Sequence, residues 1–288
     1  MLRAFFGRHK SASTWARNIL HEAAAALKLE ILTIHTPQQW AGYASVGDMI
    51  RDKKPDIFVM TNARQTDLET MPELRALNII RDPRDIIVSG YFSHRNSHPE
   101  ELSGVPWTEL QEHRKHLLTL DKDEGLLAEI EFARIFLQPM GEWNYHNPGV
   151  LELRMEDLIT DSARLWRVAL SHLELLTKEE SRNDQLHLAA VKWNLASRRE
   201  TPKAMAQMRR VLPAVPMQRL PYSYVDNTLQ RFSFARLSKT GRKPGQEDVN
   251  SHYRKGVAGD WKNHLTEKHL EHFRHVHGDL VERLGYQW

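Results

Sequence analysis

Five short apolar runs, set between longer helical segments, constrain this chain more than any other feature. They are LRAFF (2–6), ILTI (31–34), DIFVM (56–60), ALNII (76–80) and VLELR (150–154). Each has the length of a strand, and near-continuous apolarity marks a strand buried on both faces. Strands that alternate with helices imply parallel βαβ units. The expected fold class is α/β, a three-layer sandwich whose central parallel sheet is flanked by helices. In such a sheet, ligands gather beyond the carboxyl ends of the strands. The sharpest polar clusters, 8–15 and 81–89, fall at those ends.

Residues 13–28 carry Trp15, Ile19, Leu20 and Leu27 at helical spacing beside an alanine run, which predicts a helix. Asp82, Pro83 and Asp85 form a start signal, so a second helix is expected from about Pro83 to Phe92. Amphipathic helices are expected over 107–119 and 121–143, and another near 162–176. The segment 181–232 reads as polar and helical, interrupted by Pro202, Pro213, Pro216 and Pro221. Residues 238–259 read as loop. Thr266 caps a last helix expected to reach about Leu284, with Gly285 at its end. No repeat or linker divides the chain, so residues 1–288 are expected to form a single domain.

Composition excludes several classes. The 288 residues are 41% hydrophobic and 27% charged, as in globular proteins. No apolar run approaches the ~18 residues of a membrane span. The start MLRAFFGRHK lacks the apolar core and cleavage site of a signal peptide. Cysteine is absent, which rules out disulfides and thiolate metal sites and fits a cytoplasmic protein. A net charge of +3 gives no argument for nucleic acid.

Arg8, His9 and Lys10 precede the first helix, whose N-terminus already carries a partial positive charge. An anion among them resolves the conflict. Gly7, then Lys-Ser-x-Ser-Thr entering a helix, is a phosphate-cradle layout. The hydroxyls of Ser11, Ser13 and Thr14 would hold phosphate oxygens, with Lys10 as a point charge. This is not a Walker A loop, because His9 stands where GxxxxGK[ST] requires glycine.

In the second cluster, NIIRDPRDIIVSGYFSHR (78–95), Arg81 leaves a strand and Ser89 follows eight residues later. Here the chain resembles the sulfotransferases that use 3′-phosphoadenosine 5′-phosphosulfate (PAPS). Their KSGTTW loop resembles Lys10-Ser11-Ala12-Ser13-Thr14-Trp15, and their strand-exit arginine and serine match Arg81 and Ser89. Their RKGxxGDWKN motif is present as residues 254–263, and a Ser-Phe-x-x-Met/Leu element resembles Ser233-Phe234-Ala235-Arg236-Leu237.

The resemblance implies a P-loop-like sandwich and in-line sulfuryl transfer from PAPS to a hydroxyl or amine of a small-molecule acceptor, with PAP as product and no metal required. It implies that Lys10 contacts the 5′-phosphosulfate and that Ser11, Ala12, Ser13 and Thr14 surround the 5′-phosphate. Trp15 and Phe234 would pack near adenine. Arg81, Ser89, Arg254, Lys255 and Gly256 would hold the 3′-phosphate. Asp260 and Trp261 would close the last loop structurally.

The chain departs from the family pattern at Ala12, where glycine is usual, and at Met155, where a tyrosine is common. Thr61 and Asn62 stand where many members carry Thr-His, and an amide is no general base near neutral pH. His9, His35, His94 and Glu22 are the candidates for that role, and His9 is the one chosen as a catalytic residue beside Lys10. Two alternatives stay open: a P-loop nucleoside or small-molecule kinase, and a non-catalytic PAPS/PAP-binding homologue. The histidines 269, 272, 275 and 277 are a further metal candidate, though solvated histidines on a helix are the simpler account. The same holds for the basic stretch 192–219 as an anion site. Acceptor identity and oligomeric state are not legible. Trp40, Tyr43, Trp107, Trp143, Tyr145, Tyr222 and Tyr224 would suit an aromatic pocket.

Overall fold

The computed structural model describes residues 1–196 and 203–288. Five strands form one sheet: β1 (Leu2–Gly7), β2 (Ile31–Ile34), β3 (Ile57–Thr61), β4 (Leu74–Ile80) and β7 (Val150–Arg154). A small hairpin, β5 (Glu101–Leu102) with β6 (Val105–Pro106), lies apart. The sheet order is β2-β3-β1-β4-β7, and every pairing is parallel. β1 is therefore central, and the chain reverses its direction of travel across the sheet there, which places a crevice at its carboxyl end.

Alternation along the strands assigns the two faces. Phe5, Val59 and Leu77 align in register and pack with Ile19, Leu20 and Ala23 of the Ser13–Leu27 helix and with Trp166. Ala4, Phe6, Phe58, Met60 and Ala76 point to the opposite face, against Met49 and Ile50 of the Val46–Lys53 helix. A third apolar cluster joins the Pro83–Asn96, Lys122–Phe132 and Glu267–His277 helices beside β4. The helices that complete the two outer layers leave the carboxyl ends of β1 and β4 as neighbours.

The expected strands are present to within two residues. The Pro83 helix continues to Asn96, past the expected Phe92. The expected 121–143 helix is two, Lys122–Phe132 and Arg134–Gly141, and Pro139 inside the second denies an N–H to the Ile135 carbonyl. The last helix also stops early, at His277, because Gly278 turns to φ +61°; a short helix, Leu280–Arg283, follows. Arg198 and Arg199 of the basic stretch lie outside the described residues.

Candidate active site

β1 ends at Gly7, and residues 8–12 turn tightly into the Ser13 helix. The three cations of this turn part company. Arg8 is buried: its Nε donates to Asn78 Oδ1 (2.9 Å), its Nη1 donates to the Ala63 carbonyl (2.6 Å), and its guanidinium lies 4.2 Å from the Trp143 ring centroid. His9 faces His94, with Nε2 atoms 2.9 Å apart. Of the three, only Lys10 offers a free cation: among the described residues its Nζ has no hydrogen bond or ion pair, and Lys10 lines a cleft of about 870 Å³. The expected anion is thus left to Lys10 and the backbone, not to a trio of cations.

The turn is strained where the sequence lacks glycine. Ala12 adopts φ +59° as the helix N-cap, and Lys10 adopts φ +56°. A left-handed alanine costs about 1 kcal/mol. No side chain caps the helix, so its first N–H groups remain available beside the cleft, which Ala12, Ser13, Thr14 and Trp15 all line. The Ser13 hydroxyl donates to the Arg8 carbonyl, and Thr14 Oγ1 lies 3.3 Å from His252 Nε2. Ser11 departs from the expectation. Its side chain is fully buried, is no part of the cleft wall, and donates to the His9 carbonyl.

Arg81 joins the parts of the site. Its Nη1 donates to the Lys10 carbonyl (3.1 Å) and its Nη2 to the Val257 carbonyl (3.4 Å). The opening turn and the late Arg-Lys-Gly segment thus meet across one guanidinium. Arg254 Nη2 and Lys255 Nζ (2.6 Å) both bind Asp260, whose carboxylate sits below its ordinary range: burial opposes that shift, but hydrogen bonds from Lys255, Asn263 and Arg254 outweigh it. Asp85 fixes the segment from below, accepting from the Gly259 N–H (2.7 Å) and the Trp261 N–H (2.9 Å). Gly256 is required twice over. It adopts φ +67°, and a Cβ there would stand 2.5 Å from the Phe234 ring. Ser89, Arg81, Phe234, Arg254, Lys255 and Gly256 line the same cleft as Lys10.

These residues suit a polyanion with an aromatic base. Five cationic residues, Lys10, Arg17, Arg81, Arg254 and Lys255, line the cleft beside an uncapped helix start, and burial together with Arg81 and Arg254 drives the Lys10 pKa down to about 7, Glu129 pulling the other way. Burial keeps the nearby imidazoles neutral. His9 falls well below its usual range through burial, then His94, His98 and Lys10, and His98 and His252 fall to about 3 for similar reasons.

Several other candidates have structural partners. Glu22 is buried and binds Tyr224, Thr228 and Arg231. His35 accepts from Arg17 at Nε2 (3.2 Å), which leaves its Nδ1–H for Thr61 Oγ1 (2.8 Å). Asn62 does not line the cleft. None of the seven proposed pocket aromatics lines it either; Trp143 and Tyr224 are core residues. On the last helix, His269, His272 and His277 bind Thr266, Glu131 and the Ile130 carbonyl separately. Among the described residues, the groupings that could chelate lie elsewhere: His9, His94 and His98; His94, His113 and Glu129; and Glu247, Asp260 and His264. Sequence reading missed His113 and Glu129, although each is a polar residue on an apolar helical stripe: Leu110-His113-Leu117 and Leu126-Glu129-Ile130.

Residues 217–285 match a family model described as the sulfotransferase domain. Mouse sulfotransferase SULT7A1, solved with PAP, aligns over 97% of this chain and 84% of its own at 14% identity, with a TM-score of 0.52. The chain has the sulfotransferase fold. Two retinol dehydratase structures, one with androsterone and inactive cofactor PAP and one with retinol and PAP, align over 100% of this chain. They are 15% and 16% identical to it, with 82% and 83% of their own chains covered and TM-scores of 0.44. No curated protein matches in sequence. The matched sulfotransferase domain segment contains Phe234, Arg254, Lys255 and Gly256, one wall of the cleft. Among the described residues of this sulfotransferase fold, no helix is long and apolar enough to cross a membrane.

Proposed function

We propose that this chain transfers a sulfuryl group from PAPS to a hydroxyl or amine of a small molecule. The observation that carries the reading is one cleft. It gathers Lys10, Arg81 and Arg254 from three segments remote in sequence, tied together by the Arg81 guanidinium.

Bound PAPS supplies the sulfuryl group, with PAP as leaving group. Lys10 Nζ and the first N–H groups of the Ser13 helix stabilise the charge that builds on the bridging oxygen. Arg81, Ser89, Arg254, Lys255 and Gly256 take the 3′-phosphate, while Trp15 and Phe234 border the adenine. His9 receives the acceptor proton. Ser13 and Thr14 support the 5′-phosphate; for Ser11, only the backbone is in reach of that role.

Calorimetric titration with PAP and turnover of PAPS test the reading. Lys10→Ala lowers turnover about a hundredfold or more, as the loss of a directed charge of ~3 kcal/mol demands. Arg81→Ala and Arg254→Ala weaken PAP binding. Near-normal turnover in the lysine variant, or unchanged PAP affinity in both arginine variants, refutes the assignment. Activity that needs ATP and Mg²⁺ and ignores PAPS selects the kinase instead. PAP binding without turnover over a broad acceptor panel selects the non-catalytic homologue.

A further inference from the structure

His9 begins a chain of buried side chains that nucleotide binding does not use. Its Nε2 lies 2.9 Å from His94 Nε2. His94 Nδ1 lies 2.9 Å from Glu129 Oε1, and His113 Nε2 lies 2.8 Å from Glu129 Oε2. All four residues are buried. The helices are shaped around this chain. Gly90 sits inside the Pro83–Asn96 helix, and a Cβ there would stand 2.3 Å from Glu129 Oε1. Phe136 stacks on His9 and Phe132 on His113, each at 3.9 Å between centroids, which fixes the ring planes.

Counting protons fixes the tautomers. An ionised Glu129 only accepts, so His94 donates from Nδ1 and His113 from Nε2. A neutral His94 then has its lone pair on Nε2, and His9 must donate its Nε2–H to it. The lone pair of His9 is left on Nδ1. Among the described residues that nitrogen has no hydrogen-bond partner; it keeps some solvent exposure, and His9 lines the cleft.

We propose that His94 and Glu129 are positioning residues that hold His9 as general base and pass the acceptor proton to the Glu129 carboxylate. This rests on the sulfuryl-transfer reading. As the acceptor oxygen bonds to sulfur, its proton goes to His9 Nδ1. The His9 Nε2–H moves to His94 Nε2, and the His94 Nδ1–H moves to Glu129, which becomes a carboxylic acid. The bond from sulfur to the 5′-phosphate oxygen breaks, and its electron pair stays on PAP. The chain passes from one negative charge to none, and no further reactant is needed. Burial raises the Glu129 pKa to about 7, against the pull of His113 and Lys10, which suits a carboxylate that must take a proton near neutrality. Lys10, His98, His252 and Arg114 also face the rings and favour their neutral forms.

Nitrogen-15 NMR of the full chain with labelled histidine reads the tautomers directly. The expected result is His9 protonated at Nε2 and bare at Nδ1, with His94 the reverse. PAPS hydrolysis, with water as acceptor, gives the rate. Glu129→Gln lowers it about a hundredfold. The same change moves the acid limb of the pH–rate profile down by about a unit, because the lost charge weakens proton affinity along the coupled rings. PAP affinity stays within about twofold, and Glu129→Asp restores part of the rate. Gly90→Ala, whose Cβ would displace the carboxylate, gives a second route to the same loss of rate. A wild-type rate and acid limb in Glu129→Gln overturn the proposal. So does a His9 bare at Nε2, or stoichiometric zinc in the purified protein held by His9, His94 and His98. A chain that neither binds PAP nor turns over PAPS overturns the sulfotransferase reading instead, and the tautomers still decide the positioning.

Discussion

Lys10 carries a charge that its surroundings oppose. Burial, Arg81 and Arg254 lower its pKa to about 7, so near neutrality only part of the unliganded chain holds the ammonium. A bound polyanion favours the ammonium, and the pKa in the complex therefore lies above 7. Affinity for PAP is full below the free pKa and declines as pH rises from the free to the bound value. Calorimetry at pH 8, in two buffers of different ionisation enthalpy, shows proton uptake on binding, and Lys10→Met abolishes it. Equal heats in both buffers for the wild type contradict this account. Arg8, two residues away, shows why charge alone misleads. It is as cationic as Lys10 in the sequence, yet Asn78, Ala63 and Trp143 claim it for the interior.

Among elements, the Pro83–Asn96 helix has the most to hold. Its first turn supplies Asp85, whose two oxygens accept from Gly259 and Trp261, and its last turn supplies His94. Asp85→Ala leaves two N–H groups without partners, a loss of about 2–4 kcal/mol by the usual cost of such groups. The expected outcome is a lower denaturant midpoint and weaker PAP binding, with Asp85→Asn intermediate because its amide keeps one acceptor. An alanine variant that binds PAP normally removes the clamp from the account. This helix start was legible in sequence, since Asp82, Pro83 and Asp85 are local signals. So were β2 and β7, whose apolar runs end at polar or turn residues. The β5–β6 hairpin escaped because two residues per strand make no pattern, although Ser103 and Gly104 both take positive φ in its turn. The cleft motifs were legible because each is contiguous. The His9–Glu129 chain was not, because its members come from four separate segments and only their tertiary meeting gives them a role.

For the whole molecule, the cleft is a property of the assembled fold. Residues 10, 81 and 254 approach one another only when it is complete, so a ligand that spans them binds the folded state alone. PAP at a hundred times its dissociation constant then adds about 2.7 kcal/mol of stability. A melting temperature raised by about 4–8 °C is expected, by the size scaling of unfolding entropy. Arg81→Ala removes most of that rise at the same PAP concentration, and a rise that survives the substitution points to a ligand held elsewhere. Because the Arg81 guanidinium reaches forward to Val257, ligand competence arrives late during synthesis. A nascent chain that has emerged only through β7 already holds all five strands and the lysine turn, but it has nothing to shut over a nucleotide until residues 254–257 leave the ribosome.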